Sequence, residues 1–142
     1  MQQHRIIMVK LEITEKQAYL IMDALDLYSR IGMGQFDKIK DHPTIQNNIW
    51  DNHRDEYHDF ADKELMIVRN KLFDISYGLN GSQGIHSTKI DDTNRLAFDI
   101  KQVIRHEFWK CEPNRSSMTV DSHIHFTSTD GESCKIKCEV IK

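Results

Sequence analysis

The spacing of the apolar residues changes twice along these 142 residues, and this restricts the architecture more than any other feature. Ile7, Val9, Leu11 and Ile13 alternate with Met8, Lys10 and Glu12, the period of a half-buried strand. Thr14-Glu15-Lys16-Gln17 then has the form of a capping box, in which a hydroxyl and an amide satisfy orphan donors at a helix start. Behind it Ala18, Ile21, Met22, Leu25, Tyr28 and Ile31 recur at three and four, one face of a helix. Gly32-Met33-Gly34 weakens or bends this helix, and Gln35-Phe36 to Lys40 resumes it before His42-Pro43. A second helix is predicted from Thr44, its cap, to Asp74, on a stripe that includes Ile45, Ile49, Leu65, Val68 and Leu72. Asp91 or Asp92 caps a third, with Leu96, Ile100, Val103, Ile104 and Phe108 facing the core and Glu112-Pro113-Asn114 ending it.

The last third returns to a period of two. Met118, Val120, Ser122, Ile124 and Phe126 fall on one side of an extended chain, and Thr119, Asp121, His123, His125 and Thr127 on the other. Asp130-Gly131 marks a turn, after which Cys134, Ile136, Cys138 and Val140 alternate with Lys135, Lys137 and Glu139. The expected fold is α+β: three helices packed on a small antiparallel sheet formed by the N-terminal strand and a C-terminal hairpin. No internal repeat or linker divides the chain, so a single domain over 1–142 is expected.

Charge narrows the partners. Lys and Arg number 19 against 22 Asp and Glu, a formal charge of −3, which excludes a basic coat for duplex nucleic acid. No apolar run approaches the about 20 residues of a membrane span, and the start does not read as a signal peptide. A cytoplasmic protein without a membrane partner is therefore expected. Three cysteines, Cys111, Cys134 and Cys138, suit free thiols in a reducing compartment. Cys134 and Cys138 are in phase on an alternating segment with no second pair, so no metal is expected. Walker and Rossmann fingerprints are absent, and no cofactor is expected.

Two constellations carry chemistry. His86-Ser87-Thr88 and His125-Phe126-Thr127 are two H-x-T/S patterns, the signature of two-histidine phosphoesterases. There each histidine serves as acid or base, and the hydroxyls, here Thr88 and Thr127, hold the scissile phosphate. Those enzymes present both patterns on paired central strands, whereas His86 falls in a glycine-rich stretch before a helix. His123 and His125 would point the same way on a strand, but no third metal ligand is identifiable.

The other constellation is basic and aromatic. The third helix carries Arg95, Lys101, Gln102, Arg105, His106 and Trp109, several of which share a polar flank. Ser76 to Ser87 holds three of the 6 glycines, so a non-helical loop is predicted, with Tyr77 as a stacking ring and Gly78 as a point of close backbone approach. The first helix ends with Arg30 and Gln35 beside glycines. Guanidinium groups grip phosphate in fork geometry, and aromatic rings stack on bases. These are the parts of a pocket for a small nucleotide, set against the plainer reading that the arginines are solvated or salt-bridged.

Leu25 to Phe36, Ser76-Tyr77-Gly78, and Ala97 to His106 with Trp109 look like segments of a family of small proteins from tailed bacteriophages, in the same order. The pattern resembles the Thoeris anti-defence 1 family of phage sponge proteins. That resemblance implies a non-enzymatic protein that binds a cyclic ADP-ribose isomer or a cyclic oligonucleotide in the host cytoplasm, so that the host effector never receives its signal. It also implies a homodimer or higher homo-oligomer with pockets between protomers. On the matching positions, Tyr77 and Gly78 would close over a base, and Arg105, His106 and Trp109, with Gln102 on the same helix, would meet phosphate and ring. Arg30 and Gln35 would reach in from a neighbouring protomer. Two alternatives stand beside it: a phosphoesterase degrading cyclic oligonucleotides, and a phage protein that binds and inhibits a host protein.

Overall fold

The computed structural model describes residues 7–52, 63–73 and 82–142. Four α-helices are present among them: α1 (Glu15–Gly32), α2 (Pro43–Asn52), α3 (Leu65–Phe73) and α4 (Asp92–Cys111). Short 3-10 helices cover Phe36–Asp41 and Ser133–Lys135.

The start of α1 is set locally. Thr14 Oγ1 accepts the Gln17 N–H at 3.2 Å, and Gln17 Oε1 accepts the Thr14 N–H at 2.9 Å, completing the expected capping box. Its end is equally local. The Gly34 N–H bonds the Ile31 carbonyl and the Gln35 N–H bonds the Arg30 carbonyl, both at 2.9 Å, with Gly34 at φ +76°. This is a Schellman closure, which needs a left-handed residue at Gly34. The glycine run therefore stops the helix instead of bending it. Beyond the closure, Phe36–Asp41 takes the tighter 3-10 form and does not continue α1.

Helices α1 and α4 lie antiparallel. Tyr28 meets Thr93 (Oη to Oγ1, 3.1 Å), Asp26 meets Lys101, and the Tyr19 and Phe108 rings stack with centroids 5.2 Å apart. Ala18 and Met22 of α1 and Ala97 and Val103 of α4 are buried between them, and Met33, Phe36 and Ile90 extend this small core. Of the expected core face of α4, Val103 is buried while Leu96, Ile100, Ile104 and Phe108 are less completely covered. Tyr28 and Ile31, assigned by periodicity to the inner stripe of α1, are exposed. Phe36 packs edge-on to Phe73 at 5.9 Å, which joins α3 to the 3-10 helix. Of the helix expected over Thr44–Asp74, α2 and α3 are described; α2 starts at Pro43, so Thr44 lies inside it and is not its cap, and residues 53–62 and 74 lie outside the described residues. Asp91 is the cap of α4, accepting the Thr93 N–H at 2.9 Å.

The helices-on-sheet expectation is overturned: the described residues contain no strand. Residues 7–13 carry the alternating pattern without a strand partner, and turns and irregular chain occupy 117–131 where the hairpin was expected. Around the expected turn, two carboxylates one heptad apart on α4 hold the chain instead. Asp99, fully buried, accepts the Thr127 N–H on both oxygens and the Ser128 N–H on one, all at 2.9 Å. It also accepts the Thr127 hydroxyl at 2.8 Å and the Ser133 hydroxyl at 2.5 Å. Asp92 accepts the Thr129 N–H at 2.9 Å and the Asp130 N–H at 3.2 Å. Thr127, the last residue of the expected strand, thus gives its N–H to a helix side chain, as do Ser128, Thr129 and Asp130 before the turn. Alternation says which residues share a side of an extended chain, not what lies beside them.

Candidate functional site between the first and last helices

Tyr19, Met22, Asp23 and Asp26 fall at i, i+3, i+4 and i+7 of α1, and Lys101 and Arg105 at i and i+4 of α4. The antiparallel packing brings the two rows together around an open groove of ≈ 310 Å³.

Asp26 is its electrostatic centre. Its Oδ1 is bonded by the Lys101 ammonium, and its Oδ2 by Arg30 Nε at 2.7 Å. Partial burial works against ionisation of Asp26, but the bonds from Lys101 and Arg30 outweigh it and hold the carboxyl below its ordinary range. Arg30 Nη1 also donates to Gln35 Oε1 at 2.7 Å, and the Gln35 amide reaches Ser82 Oγ at 3.4 Å. The Schellman closure makes this possible, because it returns Gln35 to the side of Arg30. Arg30 and Gln35, candidates for the same site by sequence, are therefore in contact within one chain.

Arg105 lines the groove and forms an ion pair with Asp121. Its neighbours turn to the C-terminal segment. His106 Nδ1 bonds the Asp121 carbonyl at 2.8 Å, and the Trp109 indole N–H donates to the Ser116 carbonyl at 2.9 Å. The Trp109 ring stacks with His106 at 5.5 Å and lies 5.3 Å from the Arg115 guanidinium. Together the three residues hold segment 115–122 against α4. Gln102 is half-buried on the same helix. Tyr77 and Gly78 lie outside the described residues.

Arg95, assigned by periodicity to the polar flank, is buried instead. Its guanidinium bonds the carbonyls of Ile85 (2.9 Å), Ser87 and Ile90 (3.4 Å) and the Asp92 carboxylate (3.2 Å). The Gln83 N–H bonds the Met33 carbonyl at 2.8 Å, so the segment before α4 is tied to the end of α1.

The two H-x-T/S patterns are placed differently from each other. His86, Thr88 and His125 are exposed, and neither histidine takes part in a side-chain hydrogen bond among the described residues. Thr127 is buried, and its hydroxyl is donated to Asp99, which removes it from the surface where a phosphate would sit. The His123 and His125 rings are 6.3 Å apart, and among the described residues no three His, Cys, Asp or Glu are grouped to hold a metal. Burial pushes the Cys138 thiol up. No helix among the described residues is long and apolar enough to cross a membrane.

Asp26 and Tyr19 are groove residues that periodicity did not single out. A signal for them exists: an Asp four residues before Arg30, with Tyr19 seven before Asp26, forms one stripe. What the stripe cannot announce is the cation arriving from α4, 75 residues away. Comparison with protein-family models, curated proteins and solved structures finds no match to this chain.

Proposed function

We propose that the groove between α1 and α4 captures a small cyclic nucleotide and holds it without cleaving it, as a sponge for an immune signal. The observation that supports this most is the juxtaposition of Lys101, Arg105 and the Tyr19 ring around one groove. Two cations one helical turn apart suit an anionic phosphate group, and an aromatic ring beside them suits a base. The cations rest on Asp26 and Asp121, so an incoming phosphate displaces a carboxylate from each. The ligand class is the one the sequence resemblance implies, a cyclic ADP-ribose isomer or a cyclic oligonucleotide. The same reading places the protein in the host cytoplasm as a homo-oligomer whose pockets are completed by a second protomer.

A thermal-shift panel of cyclic nucleotides and cyclic ADP-ribose isomers tests it, because a ligand of the folded state raises Tm by mass action. The expected result is a Kd below about 1 µM, with the ligand recovered at its original mass after heating. Cleaved product that disappears in His86→Ala and His125→Ala would assign the phosphoesterase activity instead. Indifference to the whole panel, with one host polypeptide co-purifying, would assign a protein-binding inhibitor.

A further inference from the structure

Residues 7–13 are the densest run of exposed apolar side chains in the described chain. Ile7 is 76% exposed, Val9 85% and Leu11 67%. Among the described residues, no backbone hydrogen bond involves any of the seven. Lys10 Nζ reaches Glu12 Oε1 at 2.9 Å, with both side chains exposed. In an extended chain residues two apart share a side, so Ile7, Val9, Leu11 and Ile13 then form one apolar row. Unpaired donors and acceptors beside an apolar row form a template for another strand.

We infer that this segment pairs antiparallel with the same segment of a second copy, on a two-fold axis through Leu11. The charge pattern selects that partner. In this register Lys10 faces Glu12 of the second copy and Glu12 faces its Lys10, so the charged side closes with two opposite-charge pairs. On the other side Leu11 faces Leu11, and Val9 and Ile13 face each other twice. A shift of one residue sets Lys10 against an apolar side chain, and a parallel alignment in register sets Lys10 against Lys10 and Glu12 against Glu12. The symmetric register is also self-complementary, the requirement for a closed dimer. It rests on the assembly part of the proposed function and is independent of the ligand.

The test is sedimentation velocity on the intact chain over a concentration series, with helical circular dichroism as the folding control. A dimer is expected for the native sequence. Lys10→Glu or Glu12→Lys alone sets like charges opposite twice, and should weaken dimerisation about tenfold or more. The double variant K10E/E12K restores the pattern with signs reversed, and should recover the native dissociation constant. Leu11→Cys, with Cys111, Cys134 and Cys138 changed to Ser, should oxidise to a covalent dimer, since directly opposed residues lie within disulfide reach.

A monomer at every concentration overturns the inference. A dimer indifferent to Lys10→Glu overturns it as well. If the double variant fails to restore pairing, the segment's partner is one whose charges were not swapped, such as residues 136–142, and the symmetric interface is wrong. A monomer that still binds a cyclic nucleotide would overturn only the interface, and a native dimer that binds none only the ligand.

Discussion

Asn94 fills the space that a side chain on Gly32 would need. A Cβ at Gly32 would lie 1.9 Å from Asn94 Nδ2, which itself donates to the Tyr28 carbonyl at 3.0 Å. The end of α1 and the start of α4 are in contact there, and the closeness is what lets Tyr28 reach Thr93. Gly32→Ala, favourable for an isolated helix, should therefore destabilise the protein by about 2 kcal/mol through overpacking. Urea denaturation measures it, and an unchanged or raised midpoint would show that α4 can move aside at no cost.

Asp99 is the anchor of the C-terminal segment. Asp99→Ala leaves the Thr127 and Ser128 N–H groups and two hydroxyls without their acceptor. A loss of about 3 kcal/mol or more is expected, with amide exchange accelerating first at Thr127 and Ser128. Retained protection at those amides would mean that the segment is held by other contacts.

Stability should fall on the acid side, because three carboxyls, Asp26, Asp91 and Asp92, are lowered in the folded state. The Thr129 N–H holds Asp92 below its ordinary 3.8, and at Asp26 partial burial is outweighed by the Lys101 and Arg30 bonds. The unfolded chain then takes up these protons first, so the contribution is complete above about 3.8 and is lost as pH falls through the lower folded values. Urea midpoints taken from about pH 6 to about pH 3 should decline, and Asp92→Asn should flatten that decline. An identical slope in the variant would remove Asp92 from the account.

Ligand capture and Asp26 compete for the same cations. Lys101→Ala or Arg105→Ala should weaken nucleotide binding roughly ten- to a hundredfold with helical circular dichroism unchanged. Asp26→Asn should do the opposite, tightening binding severalfold while lowering the melting temperature. Calorimetric titration checks both. A weaker complex with Asp26→Asn would show that the carboxylate positions the cations for the ligand instead of competing with it.

Several features are legible in the sequence because their causes are local. The Thr14 capping box and the Asp91 cap each depend on residues within a few positions of one another, whereas Gly32-Met33-Gly34, read as a weak point or bend before the helix resumes, closes α1. The sequence sets Arg30 and Gln35 beside the same glycines without pairing them; the short closure at the end of α1 does that. Arg95 defeats periodicity because a period of 3.6 assigns sides of a helix but cannot say that one side will be roofed by the carbonyls of residues 85–90. Asp99 is hidden for a related reason: a lone Asp near an apolar stripe has no meaning until its donors arrive from 28 residues downstream.

The chain by itself determined where α1 and α4 begin and where α1 must weaken, because capping groups, left-handed glycines and apolar spacing act over one or two turns. Tertiary structure alone decided what the alternating segments would do and which charges would meet. At the end of the expected hairpin strand the backbone donors of Thr127 to Asp130 met two carboxylates on a helix, not a neighbouring strand. The groove has the same origin: Asp26 and Lys101 stand 75 positions apart in the chain, and only the antiparallel packing of two helices sets them face to face.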